Sequence, residues 1–299
     1  MSRARGDSGI DGFLNLAKPS GPTSHDQVAA VRRLFGTSRV GHAGTLDPLA
    51  SGVLPVALGR ATRLLNRLAA ATKSYRAEAE FGLRTTTDDL EGRVLERCAS
   101  PPLDVEEIQS ALRRFVGRQL QRPPAYSAAR QAGQRAYQLA RAGEAVDLAP
   151  RWIEISRAEL ISWSPPRLVF EVECSKGTYV RALVRDLAEH LGTLACLAGL
   201  ARLRVGDFHL EDSVSLADLA NRPPEGRLAA LQSPDVVLRN LPTVVLDEFA
   251  LDHFRHGRGW SQAASGAEGR AYDSAGNFVG LLVADPASGQ WRARLLFLD

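Results

Sequence analysis

One carboxylate, Asp47, stands in the run Gly41-His42-Ala43-Gly44-Thr45-Leu46-Asp47-Pro48-Leu49-Ala50-Ser51-Gly52, which is dominated by glycines, small residues and a proline. A loop so poor in side chains lets a large flat substrate approach the backbone, because glycine has no Cβ to obstruct it. Pro48 biases Asp47 towards extended backbone and away from helix. Asp47 is therefore expected on a shaped loop and not as a solvated surface acid. A carboxylate so held can act as a general base, or as a nucleophile towards an electrophilic carbon. Nucleophilic work needs it ionised in a partly dry pocket, where desolvation opposes the charge. A guanidinium nearby offsets that cost, and Arg181, opening a helix after Lys176-Gly177-Thr178-Tyr179, is the candidate.

Lysine usage marks the same places. Of 37 Lys and Arg residues only three are Lys: Lys18, Lys73 and Lys176. They fall in Lys18-Pro19-Ser20-Gly21-Pro22-Thr23-Ser24, in Lys73-Ser74-Tyr75, and in Cys174-Ser175-Lys176-Gly177-Thr178-Tyr179-Val180-Arg181. An ammonium is a compact point charge on a flexible stem, and a planar guanidinium does not replace it at a tight site.

The bulk composition is that of a soluble globular protein, with 44% hydrophobic and 24% charged residues, and 299 residues are enough for a large domain and a small one. No apolar run approaches the roughly 20 residues of a membrane helix. The polar, basic start lacks a signal-peptide core, so a cytoplasmic protein is expected. Three cysteines without a C-x-x-C argue against a disulfide framework and a zinc site. With no Walker-type loop and no dinucleotide fingerprint either, the reaction is expected to need no cofactor and no metal. Residues 241–299 carry five Arg against seven acids, a balance of −2, which leaves +5 on residues 1–240. A modestly basic body with scattered Arg suits a polyanionic partner. Tyr75 then offers a π face: stacking a nucleobase is worth roughly 1–3 kcal/mol, comparable with the few kcal/mol needed to unstack a nucleotide.

The elements that must position these groups are legible in outline. Ile10–Ala17 reads as a strand, broken by Lys18-Pro19. Ser24 with Gln27 reads as a capping box opening a helix to Gly36. A buried strand is expected at Val53–Leu58, a helix at Arg60–Ala70, and a half-buried strand where Tyr75, Ala77, Ala79 and Phe81 alternate with charged residues. Asp104 is expected to cap a helix ending at Phe115 before Gly117. A long basic loop is expected over Arg118–Gln134; Arg118, Arg122, Arg130 and Arg135 make either a solvated face or, on an RNA-binding protein, phosphate contacts. Strands at Trp152–Ile161 and Leu168–Cys174 lead to a helix at Tyr179–His190, and Leu203, Val205 and Phe208 alternate as another strand. The stretch from Pro223-Pro224 to Asn240 reads as a linker to a small β-rich module.

Together these phrases resemble the TruB family of tRNA pseudouridine-55 synthases. The resemblance runs from Gly9 to Asp299 and rests on Lys18-Pro19, Gly41–Gly52, Lys73-x-Tyr75, Pro124-x-Tyr126-Ser127-Ala128, Cys174–Arg181 and Leu200-x-Arg202-Leu203. It implies an isomerase that converts the T-loop uridine of tRNA to its C-glycoside after flipping it out. Asp47 matches the catalytic aspartate, for which attack on the base, attack on the sugar carbon and general-base action all stay open. Tyr75 matches the aromatic that stacks on the target base and is a candidate for aiding proton removal at C5, and Arg181 matches the aspartate's ion-pair partner. His42 would fill the space left by the flipped base or stack nearby. Tyr179 and Leu200 would line the pocket, Lys18 and Pro19 would shape it from the first strand, and Lys176 and Arg202 would contact the substrate.

The resemblance also implies an α+β fold: a mixed, mainly antiparallel sheet flanked by helices, with a central cleft and a small C-terminal RNA-binding domain of PUA type. The domains are then a flexible N-terminus over 1–9, a catalytic domain over 10–238 and the PUA-like domain over 239–299. The expected partner is the tRNA T-stem-loop, with no obligatory protein partner and a monomeric enzyme. Two positions depart from the family pattern, Arg130 for a common Lys and Ala201 for a common Arg, and both fall on expected RNA contacts. The rival readings are a non-catalytic tRNA-binding or folding protein, which need not keep both Asp47 and Arg181, and a guide-RNA-dependent synthase subunit.

Overall fold

The computed structural model describes residues 9–99, 102–127, 129–131, 133–258 and 260–298, without the side chains of 261–263. The expected flexible start lies outside these residues except for Gly9, and so does Ala128 of the Pro124–Ala128 phrase.

The first strand, β1 (Gly12–Lys18), is buried almost throughout, as a short continuous apolar run predicts for a central strand. It is followed by α1 (Ser24–Phe35), whose cap is one residue earlier than expected. Thr23, not Ser24, is the N-cap: its hydroxyl accepts from the Asp26 N–H at 3.1 Å, and the Asp26 carboxylate accepts from the Thr23 N–H at 2.9 Å. Ser24 is thereby free for another task described below. Next come β2 (Val40–His42) and β3 (Ala50–Leu58), then a 3-10 turn over Gly59–Leu64 that passes into α2 (Leu65–Ala70). The single helix expected over Arg60–Ala70 is thus two pieces.

The alternating segment is β4 (Lys73–Phe81), and α3 (Val105–Arg114) carries the expected Asp104 cap in a reciprocal box with Glu107. The expected long basic loop begins instead as a strand, β5 (Gly117–Gln121). It hydrogen-bonds to the start of β6 (Arg151–Ser164) and sets Leu120 opposite Trp152. A cross-strand partner more than 30 residues away overrides the local polarity that suggested a loop. After α4 (Ala136–Arg141) the chain forms β6, β7 (Arg167–Cys174), α5 (Val180–His190) and β8 (Ala195–Val205).

The central sheet runs β1-β3-β8-β4-β7-β6-β5, with Val214–Ser215 outside β1. Its neighbours are antiparallel except for two parallel pairs, β1 with Val214–Ser215 and β3 with β8. The expected mixed, mainly antiparallel α+β architecture is therefore present, with the parallel β3–β8 seam in mid-sheet. One core lies under α3 and α5 and includes Phe81, Ile108, Phe170, Leu183 and Leu187.

The stretch read as a linker is folded. Pro224–Leu228 is helical, Leu231–Gln232 pairs with β1, and Val236 and Leu238 are buried. Its apolar residues are what the Pro-Pro signal concealed. The C-terminal residues form a separate five-stranded sheet in the order β9 (Thr243–Val245), β11 (Glu268–Tyr272), β12 (Phe278–Ala284), β13 (Gln290–Leu296), β10 (Trp260–Ala263), with α6 (Glu248–Arg255) packed on it. This small β-rich unit is fused to the body: Leu281 and Leu295 share a core with Phe13, Val53, Phe208 and Val236. Among the described residues no helix is long and apolar enough to cross a membrane.

Candidate active site

The Asp47 loop connects β2 to β3 and is pinned on three sides. Ser24, at the start of α1, accepts from the Leu46 N–H at 2.9 Å and donates to the Leu46 carbonyl at 3.0 Å. Lys18, 1% exposed at the end of β1, donates to the carbonyls of Ala50 at 2.6 Å, Pro19 at 2.9 Å and Pro48 at 3.5 Å. Arg202, also 1% exposed, donates to the carbonyls of Val53 at 2.7 Å and Gly44 at 2.9 Å. Cations aimed at backbone carbonyls fix a loop that has no regular hydrogen-bond ladder.

The glycines serve this packing more than access by a substrate. Gly52 has φ +105°, and a Cβ there would lie 2.2 Å from the Arg202 carbonyl oxygen across the parallel β3–β8 pair. Its missing side chain admits the neighbouring strand. Gly44, at φ +77°, lies on the pocket wall against the Arg202 side chain.

Arg181 occupies the first turn of α5 and reaches four acceptors. Its guanidinium lies 2.9 Å from the Asp47 carboxylate and 3.5 Å from that of Asp89, and it donates at 2.9 Å to both the Thr87 and the Tyr126 carbonyls. The Arg181 side chain is 7% exposed, whereas that of Asp47 is 44% exposed. The buried part of this network holds the cation, and the exposed carboxylate faces the cavity.

That cavity, of about 290 Å³, is lined by Asp47, Tyr75, Tyr179, Arg181, Leu200 and Arg202 together with Lys73, Ser127 and residues of the 44–46 and 177–180 turns. Tyr75 and Arg202 are cross-strand neighbours on β4 and β8. Burial raises the Tyr75 phenol above its ordinary value, and the Arg202 charge opposes the shift. Lys73, two residues earlier, donates to the carbonyls of Ala71 at 2.6 Å and Ala69 at 2.9 Å, at the end of α2. Burial lowers its pKa to about 8. A second cavity of about 360 Å³ touches the same pair, with Asp47 and Arg181 in the shared wall and His25, Tyr126, Arg135, Tyr137 and Arg141 around it.

Six of the ten residues singled out from sequence thus meet at one pocket, and four lie outside it. Lys18 acts from behind the loop, while Pro19 is exposed and offers its carbonyl to Lys18. Lys176 is exposed beside the Ser175 and Gly177 turn that lines the pocket. His42 packs edge-on against His25 with ring centroids 5.6 Å apart, and burial lowers its pKa to about 4, so its ring is neutral near pH 7. Of the expected phosphate contacts, Arg118 stacks on Trp152, Arg122 pairs with Asp147, Arg130 is exposed, and Arg135 borders the second cavity.

Sequence reasoning missed Ser24, Asp89 and Gln121. Asp89 carried a signal: Asp88 and Asp89 sit between three threonines and Gly92, and Asp88 takes φ +59°, a conformation that Asp tolerates better than most residues. Ser24 and Gln121 act only through distant contacts and carried none.

An exposed carboxylate backed by a buried guanidinium thus stands beside a tyrosine in a pocket on the parallel seam of a mixed sheet, an arrangement that can serve as base or nucleophile towards a flat substrate. The sequence matches the TruB family pseudouridylate synthase N-terminal domain over residues 32–180. It is 48% identical over 242 residues to the tRNA pseudouridine synthase B of Gloeobacter violaceus, covering 80% of this chain and 82% of that protein. To the tRNA pseudouridine synthase B of Acaryochloris marina it is 43% identical over 273 residues, covering 90% and 93%. In three dimensions it superimposes on a chain of a Cbf5-Nop10-Gar1 complex with a TM-score of 0.73 at 25% identity, over 97% of this chain and 86% of that one. The chain belongs to the TruB family of pseudouridylate synthases and is an isomerase.

Proposed function

We propose that this enzyme isomerises the T-loop uridine at position 55 of tRNA to pseudouridine, with Asp47 as the catalytic carboxylate. The observation that carries the reading is the Asp47–Arg181 ion pair opening onto the pocket that also holds Tyr75. The flipped uridine enters that pocket and stacks on Tyr75, with Leu200 and Tyr179 as further walls. The N1–C1′ bond breaks, a C5–C1′ bond forms, the proton on C5 leaves and N1 takes up a proton, so the net change is an isomerisation with no redox step. Arg181 balances the Asp47 charge through the cycle while Asp89 keeps the guanidinium in place. A phenol is ordinarily protonated at neutral pH and burial reinforces this for Tyr75; in this reading Tyr75 stacks and hydrogen-bonds, and Asp47 accepts the C5 proton. Arg135 and Arg141 border the second cavity, where contacts to phosphates would position the RNA without reading its sequence.

A stand-alone monomeric enzyme acting in the cytoplasm is the reading favoured over a guide-dependent subunit. Proteins named tRNA pseudouridine synthase B match at 40–48% identity, whereas the H/ACA ribonucleoprotein structures match at 24–25%. The C-terminal β-rich unit is proposed to act as a PUA-like RNA-binding domain over residues 239–299.

The test is tritium release from an unmodified tRNA transcript labelled at C5 of its uridines, with wild type and Asp47→Asn compared. Release of close to one tritium per tRNA by wild type alone, lost when the T-loop uridine is replaced, is the expected result. Tight tRNA binding without release would overturn the reading.

A further inference from the structure

Tyr179 is held by two residues that face each other across the last strand pair of the central sheet. Arg151 on β6 and Gln121 on β5 are partners in that antiparallel register. The Gln121 side chain, 2% exposed, grips the Tyr179 backbone at both ends: its oxygen accepts from the Tyr179 N–H at 2.8 Å and its amide donates to the Tyr179 carbonyl at 3.1 Å. Arg151 lies over the Tyr179 ring, with its guanidinium carbon 4.5 Å from the ring centroid. The Nε and one terminal nitrogen of Arg151 are buried without an acceptor among the described residues. Buried guanidinium nitrogens with unmet donors are unfavourable unless another contact offsets them, and the ring face is the contact the structure supplies.

We propose that Gln121 and Arg151 form a positioning clamp that sets the Tyr179 ring in the catalytic pocket, the amide fixing its backbone and the guanidinium its ring plane. This rests on the reading of that pocket as the site of uridine isomerisation. Tyr179 is also the N-cap of α5, whose second helical residue is Arg181. The tertiary-defined edge β5 is thereby coupled to both pocket side chains of the α5 turn. Neither clamp residue lines the pocket, so each acts through Tyr179 and not on the substrate.

The test is a double-mutant cycle read by single-turnover tritium release and by filter binding of the same tRNA. Arg151→Gln is expected to slow release about tenfold, since small misplacements of a catalytic geometry cost one to two orders of magnitude, with tRNA affinity within about threefold. Arg151→Lys, which keeps a cation over the ring, is expected to recover most of the rate. In a Tyr179→Leu background, Arg151→Gln is expected to add less than about twofold, because the ring it positions is gone. Gln121→Glu, which keeps the acceptor but replaces the donor to the Tyr179 carbonyl, gives an independent route to the same loss if Arg151→Gln does not fold. A full Arg151 effect without the Tyr179 ring would overturn the proposal. So would weaker tRNA binding with a shallower salt dependence and an unchanged rate, the signature of a phosphate contact. An inactive wild type would instead reject the isomerisation reading itself.

Discussion

Arg181 and Asp47 are joined at 2.9 Å across a gradient of exposure, a nearly buried guanidinium facing a carboxylate that is 44% exposed. The asymmetry separates the two roles. Arg181 has three other acceptors and stays where it is when Asp47 changes, whereas among the described residues the Asp47 carboxylate makes no hydrogen bond or ion pair other than the one with Arg181.

Asp47→Asn should therefore remove catalysis without unfolding the protein. A rate loss of at least about 10³-fold is expected for losing a catalytic nucleophile or base, with tRNA binding within about tenfold and the melting temperature close to wild type. Single-turnover release and thermal denaturation check it, and a variant that still turns over would remove Asp47 from the mechanism.

Arg181→Met should cost both rate and stability. It leaves the buried Asp89 carboxylate without its cation, with the Thr87 hydroxyl and the Glu91 N–H still donating to it, and breaking a buried pair on one side costs up to about 3–5 kcal/mol. The double variant Arg181→Met with Asp89→Asn should regain much of the stability and none of the activity. Urea titrations and single-turnover rates on the same preparations separate the two effects.

Gly52→Ala is expected to destabilise the protein by more than about 2 kcal/mol. The new Cβ meets the Arg202 carbonyl in a backbone conformation that L-residues rarely adopt. Chemical denaturation reports it, and an unchanged midpoint would contradict the close β3–β8 approach.

His42 gives a pH dependence of known sign. Its ordinary pKa of 6.5 falls to about 4 through burial, with the charges of His25 and Arg202 adding to the shift. Between those values the unfolded chain binds a proton that the folded one refuses, so stability falls as pH drops through that window. The single group contributes a slope of at most about 1.4 kcal/mol per pH unit. The difference in unfolding free energy between wild type and His42→Gln should change between pH 6.5 and 4 and be flat above pH 7.5.

Removal of residues 241–299 should lower the stability of the remaining body and not merely its RNA affinity. Leu281 and Leu295 close a core shared with Phe13 and Phe208, and Arg60 donates to the Leu298 carbonyl at 2.5 Å. Exposing that surface forfeits roughly 25 cal/mol per Å² of apolar area. A truncated chain that melts like the full one would show the two parts to be independent.

The sequence by itself determined the Asp47 loop, the Arg181 turn, the alternation of β4 and the Asp104 cap, because each is written in residues within a few positions of one another. It also placed the three lysines in meaningful phrases, two of which prove to be buried ammoniums aimed at carbonyls, Lys18 and Lys73. Only the tertiary structure decided that Ser24 pins the loop instead of capping its helix, that Gly52 makes room for Arg202, and that β5 is a strand. The same holds for the folding of the 223–240 stretch and the Gln121–Arg151 grip on Tyr179. These depend on partners far apart in the chain, 149 residues for Arg202 and Val53. A local pattern carries the propensity of its own backbone, whereas a hydrogen bond or a packed ring is chosen only when the fold has brought its partner within reach.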